Sequence, residues 1–415
     1  MIVVRCVLIV GDGMADRPLR ELGFRTPLEV AEPVWMNRLA CSGALGLLDP
    51  VAPGVVPGSD VANLAFLGYD GRGVCSGRGA FEAAGVGLEV LPGDLAFRCN
   101  FASVDEGLCL VDERAGRVGG VEVEVLGEVV ERVCCGLDLG VEVFFRRGLG
   151  FKGALVLRGE GLSCNVSAVL PGVGERVGVV VPLDGSFEAK RTAGVLNEFV
   201  RLSYEALRSH WVNVGRVGRG LVGANVVLPW SGSFVPEMVS FGERFGLRGC
   251  CVAAASLVKG IGRFCGMDVP IVVGATGDLD TDTLAKADVA LAALDAGCDF
   301  VFVHVEASDE VSHDGDVLGK IAIIRKIDAL VGRILGGVDL LDTVVVLAPD
   351  HVTSCATRMH TCDAVPVCFA GGNVVADDVK VYSEQSAYNG RLGRIRGKDI
   401  MPMVLNYMGK SEKFS

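Results

Sequence analysis

The sequence predicts an α/β protein: a doubly wound, mostly parallel sheet carrying an inserted, smaller α/β domain. Three observations predict it. The runs IVVRCVLIVGDG (2–13), CDFVFVHVEASD (298–309) and DTVVVLAPDH (342–351) are continuous, apolar and β-branched, and each meets acid at its end. Such runs are strands buried on both faces of a parallel sheet. Helical patterns lie between them, which gives the strand–helix alternation of a doubly wound fold. The stretch from about 76 to 232 breaks this alternation with Val, Gly and turn residues. The expected organisation is therefore a discontinuous main domain (1–75 and 233–415) around an inserted smaller domain (76–232).

In chain order, the first strand ends in the turn GDG. The segment VVPGSDVANLAFLGYD (55–70) then opens a helix at Gly58-Ser59. In the inserted stretch, VGGVEVEVLGEVV and FKGALVLRGEGLSCNVSAVLP are expected as short strands and hairpins, interrupted by one helix over 191–210. A helix over 281–297 has Asp282 as its N-cap and Gly297 as its stop. The strand 298–309 follows, then an amphipathic helix over 314–335, then the strand 342–351.

Length, charge and cysteine usage narrow the function. The chain has 415 residues, half of them apolar, and a formal net charge of −12. That size suggests two domains with a substantial core. A phosphate-backbone binder would be basic, so nucleic-acid binding is not expected. No run is long enough to cross a bilayer, and no leader is apparent at the N-terminus. A cytoplasmic enzyme acting on a small molecule is the expectation; the oligomeric state is left open. None of the fifteen cysteines forms C-x-x-C, so most are read as buried, reduced, apolar fillers.

Four of the five histidines fall between 304 and 360. In a parallel sheet the carboxyl ends of the three acid-tipped strands share one edge, where ligands bind. Asp12, Asp309 and Asp350 should meet there. His313 follows Asp309 by four residues and shares its face if a helix starts at that point. His351 adjoins Asp350, and His360 can fold back from the following loop. Three carboxylates and three imidazoles suit a pair of divalent transition metals such as Mn²⁺ or Zn²⁺. His304 lies inside its strand and is read as supporting or packing rather than ligating. Ser59, at a helix start beside this cluster, is the candidate nucleophile. Competing motifs fail: GDGMAD lacks the third glycine of a dinucleotide turn, and DLDTDT lacks the glycine and glutamate of a calcium loop. Ser59 is not in G-x-S-x-G, and there is no Walker lysine.

Taken in order, VGDGMADRP (10–18), PGSDVANLAFLGYD (57–70), GRGAFEAAG (77–85), FRCNFASVD (97–105), LVKGIGRFCGMDV (257–269), ATGDLDTDTLAKAD (275–288), FVFVHVEASDEVSHDGD (300–316), APDHVTSCATRMH (348–360) and GRIRGKDIMP (393–402) resemble the archaeal-type branch of the cofactor-independent phosphoglycerate mutases, in the alkaline phosphatase superfamily. The resemblance implies an alkaline-phosphatase-like sheet and interconversion of 3- and 2-phosphoglycerate, without 2,3-bisphosphoglycerate. It implies Ser59 as the phosphorylated residue. Asp309, His313 and His360 would hold one metal; Asp12, Asp350, His351 and the Ser59 oxygen would hold the other. Mn²⁺ is the preferred ion, with Zn²⁺, Co²⁺ or Mg²⁺ as alternatives. Lys259 matches a lysine that faces the phosphate. Arg98 and Arg158 are candidates for substrate contact from the inserted domain. The chain departs from the pattern at Glu306, where a basic residue is expected, in HVTSCATRMH, which lacks a proline and a basic pair, and in VLPWSGSF (227–234). The alternative on the same site is another phosphotransferase of the superfamily or a metal-dependent phosphomonoesterase on a small metabolite.

Overall fold

A computed structural model describes residues 5–74, 77–137 and 140–411. Contacts divide the chain into two compact units, Met1–Val74 with Met238–Ser415, and Cys75–Glu237.

The first unit is built on a seven-stranded sheet. Its strand order is Arg394–Arg396, Gly43–Asp49, Val365–Ala370, Thr343–Pro349, Arg5–Gly11, Phe300–Val305 and Gly249–Val252. Only strand 365–370 runs against its neighbours; the others are mutually parallel, as the long apolar runs predict. Every residue of strands 300–305 and 343–349 is buried. Helices Thr283–Asp295 and Val317–Gly337 pack together and bury Ile323, Ile324, Ile327, Leu330 and Val331 in the main core. Asp282 caps the first of these by accepting from the Ala285 N–H, and Asp316 caps the second through Gly319. Such caps satisfy N–H groups that have no partner within the helix.

The register fixes the functional edge. Gly11 pairs with Pro349 on one side and with Val305 on the other. The three central strands therefore finish level, and the residues that follow each of them emerge side by side. Among the described residues, no helix is long and apolar enough to cross a membrane.

The second unit is an antiparallel sheet with helices. Strand Leu95–Val104 is central and pairs with Leu110–Asp112, Lys152–Arg158 and Val226–Phe234; Glu142–Arg147 pairs with 152–158. The segment VGGVEVEVLGEVV, expected as strand and hairpin, is instead the start of a helix, Gly120–Cys135. Its V-E-V-E-V opening fits a period of two, but over the whole segment the buried positions are Val123, Leu126, Gly127, Val130 and Cys134, the spacing of one helix face. Glu122 on this helix pairs with Arg216 and Arg219. In FKGALVLRGEGLSCNVSAVLP only the 152–158 portion is a strand; the remainder is mostly irregular. The helix expected over 191–210 spans Phe187–Leu207, begun by Ser186, which accepts from the Ala189 N–H.

Helix Gly79–Val86 lies on strand 95–104, and the approach is close. A Cβ on Gly79 would stand 1.9 Å from the Ala96 carbonyl oxygen. Gly79→Ala is expected to lower the stability of this unit by about 1–3 kcal/mol or more through forced displacement of backbone. The denaturant midpoint read by fluorescence, with Trp211 and Trp230 reporting from this unit, checks it.

Candidate metal centre

Two groups of ligand-type side chains meet at the level edge of the main sheet. One is Asp309, His313 and His360; the other is Asp12, Asp350 and His351. Within each group the donor atoms lie inside 4.8 Å of one another.

Helix Ala307–Asp314 begins two residues after strand 300–305 and puts Asp309 and His313 one turn apart on the same face. His313 Nε2 is 3.4 Å from Asp309 Oδ2. His360 arrives from a short hairpin, Val352–Ser354 against Met359–Thr361, in which it pairs with Thr353. Its Nε2 is 3.3 Å from Asp309 Oδ1 and 3.2 Å from His313 Nε2. The opposite ring nitrogens settle the proton positions. His313 Nδ1 donates to the Arg358 carbonyl at 2.9 Å, and His360 Nδ1 donates to the Pro57 carbonyl at 2.9 Å. A carbonyl only accepts, so both Nδ1 atoms carry hydrogen and both Nε2 atoms face inward.

The second group is deeper. Asp12 follows the first strand, and Asp350 and His351 follow strand 343–349. His351 Nε2 lies 3.1 Å from Asp12 Oδ1 and 3.6 Å from Asp350 Oδ1. Thr353 links the two groups. Its hydroxyl donates to Asp309 Oδ1 at 2.6 Å, so its oxygen accepts from His351 Nδ1 at 3.0 Å. His351 therefore also turns its Nε2 to the site. The rings of His351 and His360 stack with centroids 3.8 Å apart.

Three inward Nε2 atoms among three carboxylates need positive charge between them, as protons or as cations. The electrostatics express the same demand. Burial and then the Asp12 charge push Asp350 up to about 7. Burial alone would lower His351, but Asp350 and Asp12 hold it at about 9. Burial and the Asp309 charge would raise Asp12, yet its contacts with His304 and His351 leave it well below the usual carboxylate range. A metal replaces protons held in this way, so the donor set fits two divalent ions.

Ser59 stands at the edge of this cluster as the first residue of helix Ser59–Phe66. Its Oγ is 3.1 Å from His351 Nε2 and 3.5 Å from Asp12 Oδ1. Asn63, one turn later, donates to the Ser59 carbonyl at 2.7 Å and to Asp350 Oδ2 at 3.0 Å. Gly13 N–H donates to Asp350 Oδ1 at 3.1 Å.

Comparison with known proteins identifies the family. A model of the metalloenzyme superfamily matches residues 4–407. The 2,3-bisphosphoglycerate-independent phosphoglycerate mutase 1 of Methanothermobacter thermautotrophicus is 45% identical over 409 residues, 98% of this chain and 99% of that one. The corresponding mutase of Methanopyrus kandleri is 46% identical over 415 residues, 99% of this chain and 98% of that one. The chain belongs to the 2,3-bisphosphoglycerate-independent phosphoglycerate mutases. Among solved structures, the PH0037 protein of Pyrococcus horikoshii superposes with a TM-score of 0.83 at 34% identity, covering both chains completely. The cofactor-independent phosphoglycerate mutase of Thermoplasma acidophilum gives 0.65 at 31% identity, covering 98% of this chain and all of that one.

The remaining sequence-predicted residues of this mutase-family chain sit as follows. Lys259 is on helix Ser256–Phe264, which packs on helix 59–66. Burial, then Arg263, holds its amine below the ordinary lysine value. Arg98 and Arg158 lie in the second unit, and each meets a carboxylate there. Arg98 Nη1 is 3.3 Å from Glu82 and its guanidinium covers the Trp230 ring. Arg158 is held at both Nε and Nη2 by Asp94 and stacks on Phe144. Glu306 stands at the N-cap of helix 307–314.

Sequence reasoning missed three contributors: Thr353, Asn63 and Lys320. Thr353 follows His351 by two in an extended segment, and Asn63 follows Ser59 by four in a helix; both spacings put them on the same face as a site residue. Lys320 gives no such signal. It is fully buried on helix 317–337, and its Nζ donates to Asp16 Oδ2 (3.1 Å), the Ala15 carbonyl (3.0 Å) and the Thr353 carbonyl (2.7 Å). It thus joins the turn after Asp12 to the segment after His351. Lys320→Met would leave Asp16 as a buried, uncompensated charge, with an expected cost of about 3–5 kcal/mol. Urea unfolding of the metal-free protein measures it.

Proposed function

We propose that this chain interconverts 3-phosphoglycerate and 2-phosphoglycerate through a phosphoserine at Ser59. In this reading Asp309, His313 and His360 hold one divalent ion, and Asp12, Asp350, His351 and the Ser59 oxygen hold the other. Mn²⁺ is the first choice, because a mixed carboxylate–imidazole set suits borderline transition metals. The observation that carries the reading is the Ser59 hydroxyl 3.1 Å from His351 Nε2, at a helix start and beside two ligand groups.

When bound, the ions supply charge that lowers the pKa of the Ser59 hydroxyl and offsets the phosphoryl oxygens. The residues then divide the work. The Ser59 hydroxyl loses its proton as its Oγ attacks phosphorus; the bond from phosphorus to the C3 oxygen of 3-phosphoglycerate breaks, and the C3 oxygen ends with that proton as a hydroxyl. Glycerate turns without leaving, and its C2 hydroxyl loses its proton as the oxygen attacks the phosphoserine; Oγ is the leaving group and ends with that proton, restoring the Ser59 hydroxyl. The positive end of the helix 59–66 dipole favours the anionic group on Ser59. Lys259 neutralises the moving phosphoryl, where positioning and charge do most of the catalysis. Water must stay out while the phosphoserine exists, or the outcome is hydrolysis; the second unit is read as the substrate-binding lid. Of the two candidate arginines there, Arg98 is the better substrate contact, since Arg158 already spends Nε and Nη2 on Asp94. A cytoplasmic location follows from the metabolic reaction.

Ser59→Ala is expected to lower kcat by several orders of magnitude while melting temperature and metal content stay near those of the parent. The assay is conversion of 3- to 2-phosphoglycerate without added 2,3-bisphosphoglycerate, with phosphate release followed in parallel. Near-normal turnover of the variant would refute the phosphoserine, and phosphate release in place of isomerisation would favour a phosphatase. Exhaustive chelation is expected to abolish turnover and Mn²⁺ to restore it; turnover indifferent to chelation would overturn the metal assignment.

A further inference from the structure

His304 is a costly residue where it stands. It lies in strand 300–305, opposite Val10 and between Val303 and Val305. Its side chain is wholly buried and shares the face of Phe302, whose ring meets it edge-on with centroids 6.1 Å apart. Neither ring nitrogen has a closed hydrogen bond among the described residues. Burying an imidazole without partners is unfavourable, and such a group in a folded protein calls for an explanation. Valine or phenylalanine would serve the sheet better. The backbone at this point is fixed independently: Lys286 Nζ donates to the His304 carbonyl at 2.8 Å.

The explanation lies in how the three site carboxylates are held. Asp309 receives the Thr353 hydroxyl at 2.6 Å. Asp350 receives Gly13 N–H and the Asn63 amide. Asp12 directs Oδ1 to His351 and Ser59. Its other oxygen, Oδ2, has no hydrogen-bond donor among the described residues except the nearby His304, whose Nε2 is 3.4 Å away. Ligating carboxylates are generally oriented by a donor outside the ligand set.

We propose that His304 is a positioning residue of the metal centre: its Nε2–H fixes Asp12 through Oδ2, so that Oδ1 faces the ion and Ser59. It acts through Asp12 and is not itself a ligand. Its proton sits on Nε2, whereas His313, His351 and His360 carry theirs on Nδ1. The inference rests on the reading of Asp12 as a metal ligand.

The test compares parent, His304→Phe and His304→Gln. Phe keeps the size and removes the donor; Gln keeps an N–H donor. Metal-free proteins are titrated with Mn²⁺ alone by calorimetry, and their thermal melting is recorded separately. The Phe variant is expected to fold and to melt close to the parent temperature, because it keeps the bulk of the ring in the core while the lost contact to Asp12 offsets the removal of two polar nitrogens. One of its two Mn²⁺ sites should weaken by roughly 10–100-fold and the other stay unchanged, and Gln should recover most of the loss. If Phe does not fold, His304→Leu supplies the same comparison. Unchanged Mn²⁺ binding in the apolar variant overturns the inference. So does a lowered metal-free melting temperature with both sites weakened equally, which is the pattern of a packing residue. A parent protein that binds no Mn²⁺ overturns the metal assignment itself, and is distinguished by being seen before any substitution.

Discussion

The level termination of three parallel strands is the constraint on which the rest of the first unit depends. Because Gly11 pairs with both Pro349 and Val305, Asp12 and Asp350 leave the sheet as neighbours and Asp309 follows within one helical turn. A single-residue slip of strand 343–349 would turn Asp350 and His351 to opposite faces. The buried residues along these strands penalise that slip, since it would expose apolar side chains on one face or crowd them on the other. The core therefore sets the placement of the ligands, and packing far from the chemistry holds it.

Bringing three carboxylates together in a buried place costs electrostatic energy that the surrounding groups only partly offset. The imidazoles are prepared for the remainder. Two of them donate Nδ1–H to main-chain carbonyls and the third to Thr353, which leaves each Nε2 directed at the centre. Thr353 makes the arrangement cooperative, because the hydroxyl that orients Asp309 in one group is oriented against His351 in the other. Lys320 holds the two segments that carry Asp12 and His351, so the site is kept in place by a buried cation as well as by the hydrogen bonds of its own side chains. Ser59 gains its significance from this setting. Elsewhere a serine at the start of a helix is a cap; here its oxygen stands against His351 and Asp12.

The second unit contributes a different kind of order. Its antiparallel sheet is covered by helix 120–135 and helix 187–207, and Arg98, Arg216 and Arg158 are tied into its own framework by Glu82, Glu122 and Asp94 respectively. An arginine stacked on an aromatic ring and paired with a buried acid, as Arg98 is with Trp230 and Glu82, is held in a fixed orientation.

By itself, the sequence determined the three central strands, the spacing that puts Asp309 and His313 on one helix face, the cap Asp282, and the residue types gathered at the functional edge. Each of these is local: β-branched runs, a spacing of four, and an acid before a helix act within a few residues. The segment V-E-V-E-V was misleading because a short alternating stretch satisfies both a strand and one face of a helix, and only the packing of Val123, Leu126 and Val130 into a core selects between them. The role of Lys320, and the contacts of Thr353 with Asp309, of Asn63 with Asp350 and of His304 with Asp12, were decided by tertiary structure. Their roles depend on partners tens to hundreds of positions away, and a hydrogen bond over that separation exists only once the register of the sheet has brought both ends to the same place.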